Sequence, residues 1–73
     1  MHPADINAGL KKAGWNQARV GQSLTPPMTG SMVGKVIRGQ RRSQRIEERI
    51  SEILNIPLHR LWPKWHKRPK KAA

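Results

Sequence analysis

Residues 29–39 read TGSMVGKVIRG, and this stretch predicts a short helix with two unlike faces. Thr29 can cap the start of the helix and Gly39 can end it, so the helix should cover about 30–38. Its apolar side carries Val33, Val36 and Ile37. The opposite side carries, at the spacing i, i+4 and i+7, Ser31, Lys35 and Arg38. A helix of this kind buries one face against its neighbours and presents the other, basic face outward.

A second short helix should precede it along the chain. Asn16 is a suitable N-cap for a helix at about 17–24. The residues expected on its inner side are Val20 and Leu24, with either Ala18 or Gly21. Glycine lowers helix propensity by up to about 1 kcal/mol, so Gly21 indicates a point where another backbone comes close. The turn at residues 25–28, Thr-Pro-Pro-Met, ends the helix because proline lacks an amide donor and restricts the residue before it.

The rest of the chain also has helical apolar spacing. A first helix is expected at about 3–13, opened by Pro3 and closed by Gly14, with inward residues Ile6, Leu10 and Ala13. Ser43 can cap a fourth helix at about 44–54, and Pro57 can open one last turn. The apolar residues of these two segments are Ile46, Ile50, Ile53 and Leu54, then Leu58, Leu61 and Trp62.

No segment alternates as a strand would, so we predict an all-α fold, a compact bundle of four to five short helices. Two short helices joined by a turn, the second of them basic outside, are typical of a helix-turn-helix. The predicted domain covers residues 1–63. Residues 64–73 are predicted to be a basic, flexible tail.

Charge is the second informative property of the sequence. Fifteen Lys and Arg against four Asp and Glu give a net charge of +11 with neutral histidines. A surplus of this size indicates a polyanionic partner, either a nucleic acid or an anionic membrane surface. Residues 35–45 hold five of the basic residues and no acid, and residues 63–73 hold five more. The segment between these two blocks is close to neutral.

The sequence offers little support for catalysis or metal binding. It has no cysteine, and its histidines, at positions 2, 59 and 66, are widely separated. No nucleophile–base pair and no glycine-rich phosphate loop is present. The acids are explained by helix-end preference or by surface pairing with Arg45 and Arg49. We therefore expect no enzyme activity, no metal, no cofactor and no small-molecule substrate.

The three tryptophans have separate interpretations. Trp62 should belong to the core, because it follows Leu58 and Leu61 at helical spacing. Trp15 should cover the edge of the core. Trp65 lies among basic residues, and the sequence leaves open whether it stacks on a ligand or packs on the domain.

Motifs at both ends of the domain resemble a known family. These motifs are HPADI at 2–6, LKKAG at 10–14, ILNIP at 53–57 and LWP at 61–63. Together they resemble the Ner-like phage transcriptional regulators, which have a lambda-repressor-like DNA-binding fold. The turn at 25–29 is longer than that of the family. The resemblance implies a small repressor that binds an operator near early phage promoters, often as two or more copies on one site.

The resemblance also implies where double-stranded DNA would bind. Helix 30–38 would lie in the major groove, with the small residues Gly30, Ser31 and Gly34 letting its backbone approach the bases. The residues expected at base edges are Ser31, Met32 and Lys35; Lys35 can donate to a guanine and Met32 can contact a thymine methyl group. The residues expected on phosphates are Gln17, Arg19, Thr29, Arg38, Arg41 and Arg42.

We expect a cytoplasmic, nucleoid-associated protein of a bacterial host. No long apolar segment is left over for a strong dimer interface, so we expect a monomer in solution that can pair on DNA. The N-terminus does not resemble a signal peptide, and no segment approaches the roughly 20 apolar residues of a membrane span.

Two other functions fit the composition. One is a non-specific or architectural nucleic-acid-binding protein that acts on DNA or RNA through charge alone. The other is a membrane-active basic peptide that uses Trp65 and the lysine-rich tail. A preference for one site in a random DNA pool would exclude the first. Helicity and cooperative melting without lipid would count against the second.

Overall fold

In a computed structural model that describes residues 1–66, the chain forms helices and no strand. The five helices are α1 (Pro3–Lys12), α2 (Gln17–Gln22), α3 (Gly30–Ile37), α4 (Gln44–Leu54) and α5 (Leu58–Leu61). The prediction of a compact all-α fold of four to five short helices is confirmed for these residues, and every predicted helix boundary lies within two residues of the observed one. The rest of the predicted tail, residues 67–73, lies outside the described part.

Side-chain caps start three of the helices at the predicted residues. A cap oxygen that accepts a hydrogen bond from an unpaired amide of the first turn contributes about 1 kcal/mol. The caps are Asn16 Oδ1 to the Arg19 amide at 2.7 Å, Thr29 Oγ1 to the Met32 amide at 3.1 Å, and Ser43 Oγ to the Ile46 amide at 3.5 Å. The start of α3 is therefore set by its own local sequence.

One apolar core joins all five helices. Full burial of a Val, Leu or Ile side chain contributes about 1.5–3 kcal/mol. The buried apolar residues are Ile6, Leu10, Val20, Val33, Val36, Ile37, Ile46, Ile50, Leu61 and Trp62. Because α3 supplies three of them, the core decides which side of this helix faces outward.

Not every side chain that was predicted to point inward is fully buried. Ala13 is exposed because α1 has already ended at that point. Ala18 is exposed as well, so Gly21 takes the inner position of α2 that the sequence left open between them. Ile53 and Leu54 are half-buried, because the last turn of α4 packs at the edge of the core.

Two glycines allow α2 and α3 to form the most extensively packed helix pair. A Cβ at Gly21 would lie 2.0 Å from the carbonyl oxygen of Met28, and the Met28 amide donates to the Gly21 carbonyl at 2.9 Å. A Cβ at Gly30 would lie 3.1 Å from the Cα and amide nitrogen of Ala18. The prediction that another backbone approaches Gly21 is confirmed. Gly30 faces α2, so its small size serves the packing of the two helices and not the approach to a ligand.

The chain continues after α5 as a turn packed on the domain. The amides of Trp65 and His66 donate to the carbonyl of Trp62 at 3.0 and 2.9 Å. Residues 64–66, which the sequence assigns to a flexible tail, are therefore folded back by local hydrogen bonds.

Candidate nucleic-acid interface

The outer face of α3 is open to solvent. Ser31, Lys35 and Arg38 are exposed. The inner residues Val33, Val36 and Ile37 are at most 1% exposed, so the prediction of a two-faced helix is confirmed. No residue of α3 is acidic, and its C-cap residue is Arg38. The open face therefore carries the two positive charges of Lys35 and Arg38. This face can therefore offer one hydroxyl and two cationic donors to an anionic ligand.

Two other predicted contacts, Met32 and Thr29, lie at the start of this helix. Met32, expected at a base edge, is half-buried and packs against the core. The reason is its position, next to Val33 and one turn before Val36, at the border between the two faces. Thr29, expected on a phosphate, is exposed and caps the helix through its Oγ1, and the same hydroxyl can still donate its hydrogen.

Gln17 and Arg38, both predicted to contact phosphates, come together over Gly34. A Cβ at Gly34 would lie 2.8 Å from Gln17 Oε1 and 3.2 Å from Arg38 Nη1. These side chains cover the glycine, so Gly34 does not provide an open approach to the bases. The Gln17 Nε2 group donates to Asn7 Oδ1 at 3.1 Å. The sequence did not predict that Asn7 belongs to this surface, because only the packing of α1 beside the start of α2 brings Asn7 next to Gln17.

Arg19, another predicted phosphate contact, is bound within the protein. Its Nη1 donates to the Gly14 carbonyl at 2.7 Å, and its guanidinium carbon lies 4.6 Å from the centre of the Trp15 ring. The guanidinium of Arg49 approaches the same ring at 5.7 Å. Trp15 is half-buried against the core, as expected. Arg19 therefore covers Trp15, and the structure gives it less freedom for a ligand than the outer residues of α3 have.

Two arginines of α4 hold the turn between α2 and α3. Arg45 donates through Nη2 to the carbonyl of Pro26, and the Nε of Arg49 donates to Ser23 Oγ at 3.1 Å. Part of the basic block at 35–45 is thus used inside the protein. Together with the packing at Gly21, these bonds fix the turn from two sides and so limit how α3 can move relative to α2.

A buried carboxylate lies behind the loop that follows α3. Glu47 is 1% exposed, whereas the sequence explained the acids by helix-end preference or by surface pairing. Its Oε2 accepts hydrogen bonds from the Ser43 amide at 3.0 Å and from Arg42 Nε at 3.2 Å, and its Oε1 pairs with His66 Nε2. Glu47 does lie in the first turn of α4, as helix-end preference predicts. Surface pairing was wrong for it, because Glu47 lies one turn before Ile50 on the buried side of α4. The sequence did hold one signal for this contact. A capping box places a glutamate three residues after the N-cap, and Glu47 lies four residues after the N-cap Ser43.

The environment of Glu47 favours its ionised form. Burial by itself raises the pKa of this carboxyl group, because it disfavours the charge. The hydrogen bonds from His66, Arg42 and the Ser43 amide, together with the positive charge of Arg42, outweigh burial and bring the pKa below its ordinary value. Arg42, predicted on a phosphate, is therefore in an ion pair although its side chain remains exposed, and Arg41 beside it is exposed as well.

Trp65 packs on the side chain of Arg42, which is paired with Glu47. The guanidinium carbon of Arg42 lies 4.6 Å from the centre of its ring, and Lys64 Nζ lies 5.2 Å from the same centre. A Cβ at Gly39 would lie 3.9 Å from the indole Nε1. The alternative that the sequence left open for Trp65 is thus decided in favour of packing on the domain, with 36% of the residue exposed.

Within residues 1–66, no group of three or more His, Asp or Glu side chains is placed to hold a metal ion. None of the helices in this range is both long and apolar enough to cross a membrane. No family model matches the chain, and neither a curated protein nor a solved structure shows significant similarity to it.

Proposed function

We propose that the chain is a sequence-specific DNA-binding transcriptional regulator. In this proposal α2 and α3 form the helix-turn-helix of a lambda-repressor-like domain, and α3 lies in the major groove. The observation that carries the proposal is the outer face of α3, where Ser31, Lys35 and Arg38 are exposed while the opposite face is locked into the core. A recognition helix needs this combination, since it must be polar outside and held at a fixed angle.

The dimensions of α3 support the proposal. An α-helix with side chains is about 10–12 Å wide, and the major groove is about 12 Å wide. In a helix-turn-helix the N-terminal part of the second helix contacts the bases. Ser31 lies there, and Lys35 follows one turn later, long enough to reach a guanine edge. Arg38, at the end of the helix, and Arg41 in the loop are suited to the flanking phosphates.

The rigidity of the helix pair is a second argument. Base recognition depends on donors that stay in register with the base edges, so a mobile helix would lose discrimination. Here α3 is fixed by Gly30 against α2, by the turn bonds from α4 and by three buried side chains. Among the predicted base contacts, this geometry favours Ser31 and Lys35 over the half-buried Met32.

The end motifs that resemble Ner-like phage regulators agree with the same function. On that basis we propose a repressor that acts on operator DNA in the bacterial cytoplasm, as a monomer that can pair on its site. It would act without a cofactor and without catalysis.

The test is selection of bound duplexes from a random DNA pool at about 150 mM salt. Recovery of a defined half-site is expected. Recovery of no site would favour a non-specific architectural protein. On the selected site, Lys35→Ala should lower affinity on the order of tenfold, the lower part of the range for one good base contact. It should lower affinity for bulk DNA much less.

Lys11→Ala is the matched control, because Lys11 is also an exposed lysine in the last turn of a helix. It removes the same charge but leaves α3 intact, so it should not change site preference. If Lys35→Ala weakened selected and bulk DNA by the same factor, Lys35 would not be a base-reading residue.

A further inference from the structure

The guanidinium group of Arg42 is held on two sides. Its Nε donates to Glu47 Oε2 at 3.2 Å, and the ring of Trp65 covers one face at 4.6 Å. The side chain nevertheless remains 49% exposed. A guanidinium has five N–H donors, and the Glu47 bond uses one of them. The group is therefore oriented by the protein and still has donors for a ligand.

Both residues that hold Arg42 are themselves anchored. Glu47 is bound by the Ser43 amide and by His66, and it is 1% exposed, so its carboxylate has a fixed position. Trp65 belongs to the turn that is closed by hydrogen bonds to the Trp62 carbonyl. Lys64, from the same turn, places a second cation near the Trp65 ring.

We propose that Glu47 and Trp65 are positioning residues that hold Arg42 ready for a backbone phosphate of duplex DNA. The turn at residues 62–66 then belongs to the DNA-binding surface and is not only the beginning of a tail. This inference rests on the proposed function. The physical reason is preorganisation: a long side chain loses rotamer freedom when it binds a phosphate, and here that loss has already occurred in the folded protein.

A double-mutant cycle on a duplex of about 20 base pairs and mixed sequence tests the coupling. In the parent chain, Arg42→Ala should lower affinity on the order of fivefold at about 150 mM salt and reduce the salt slope by about 0.9. In the Trp65→Leu background, Arg42→Ala should lower DNA affinity by less than about twofold. Trp65→Phe keeps an aromatic ring beside Arg42, so in that background Arg42→Ala should again lower affinity nearly as much as in the parent. An equal loss in the parent and Trp65→Leu backgrounds would overturn the proposal.

Arg60→Ala is the control for the loss of one arginine charge, since Arg60 is exposed on α5. Its effect on affinity should be the same in the parent and in Trp65→Leu. Trp65 lies at the surface, so Trp65→Leu should still fold, and a helical circular dichroism spectrum with cooperative melting verifies this. Glu47→Gln is a second variant, with the expectation that it also reduces the effect of Arg42→Ala.

The outcomes separate this inference from the proposed function. Phosphate contacts carry no sequence information, so the cycle can be measured without knowing the operator. Additive losses in a protein that does select a site would overturn the positioning role alone. Coupled losses in a protein that selects no site would support the positioning role and overturn the sequence specificity. Absence of binding to any duplex would overturn both.

Discussion

Replacing Gly21 by alanine would place a methyl carbon 2.0 Å from the carbonyl oxygen of Met28. Real Cβ contacts essentially never fall below 3.0 Å, so the backbone of the turn must move by about 1 Å or more. The same movement strains the hydrogen bond from the Met28 amide to the Gly21 carbonyl, which is 2.9 Å long. Because the obstacle is backbone, no rotation of a side chain can relieve it.

The expected cost follows from three contributions. Overpacking of this kind costs about 1–3 kcal/mol, and a weakened hydrogen bond adds about 0.5–1.5 kcal/mol. The higher helix propensity of alanine offsets up to about 1 kcal/mol. The net loss in the free energy of unfolding is therefore about 2 kcal/mol. In a domain of this size each 1 kcal/mol corresponds to about 4–8 °C, so Tm should fall by about 8–16 °C.

Thermal melting followed by circular dichroism at 222 nm measures this effect. Gly9→Ala is the matched control, because Gly9 lies inside α1 and its Cβ would meet only the end of the flexible Leu54 side chain, at 3.0 Å. Gly9→Ala should leave Tm unchanged or raise it slightly. If Gly21→Ala melted within about 2 °C of Gly9→Ala, the close approach of the turn backbone to α2 would be wrong.

Two further predictions concern α4 and α3. Because the folded-state pKa of Glu47 lies below its ordinary value, its ionised form stabilises the protein above about pH 4.3, and this contribution is lost as the pH falls through the folded-state pKa. Urea unfolding should show Glu47→Gln to be less stable than the parent at pH 7, and the difference in the free energy of unfolding should narrow as the pH falls below the ordinary pKa. A difference that stays constant with pH would refute this. Thr29→Ala should lower the free energy of unfolding by about 1 kcal/mol by removing the cap of α3, whereas Thr25→Ala, at an exposed turn residue, should change it by less than about 0.5 kcal/mol. Equal effects of these two threonine substitutions in the same urea assay would mean that the cap does not stabilise α3.

The long connection between α2 and α3 is kept rigid by contacts along its length. Seven residues, 23–29, separate the two helices. A connection of that length would allow the helices to move if it were held only at its ends. Arg45 and Arg49 bind it from α4, and Gly21 binds it from α2. The basic residues of α4 therefore act partly as structural groups.

The amino-acid sequence alone determined the helices, the caps of α2, α3 and α4, and the two faces of α3. These features depend on residues within one or two turns of each other, such as Thr29 with Met32, or on a periodicity such as that of Val33, Val36 and Ile37. Only the tertiary structure decided that Glu47 is buried, that Trp65 packs on Arg42 and that Gln17 bonds to Asn7. These contacts join different elements, and a local pattern cannot predict them because their geometry depends on how the helices pack. The partner of a charged side chain is decided in the same way, which is why the sequence predicted phosphate contacts for Arg19 and Arg42 but not the bonds that they make to the Gly14 carbonyl and to Glu47 within the protein.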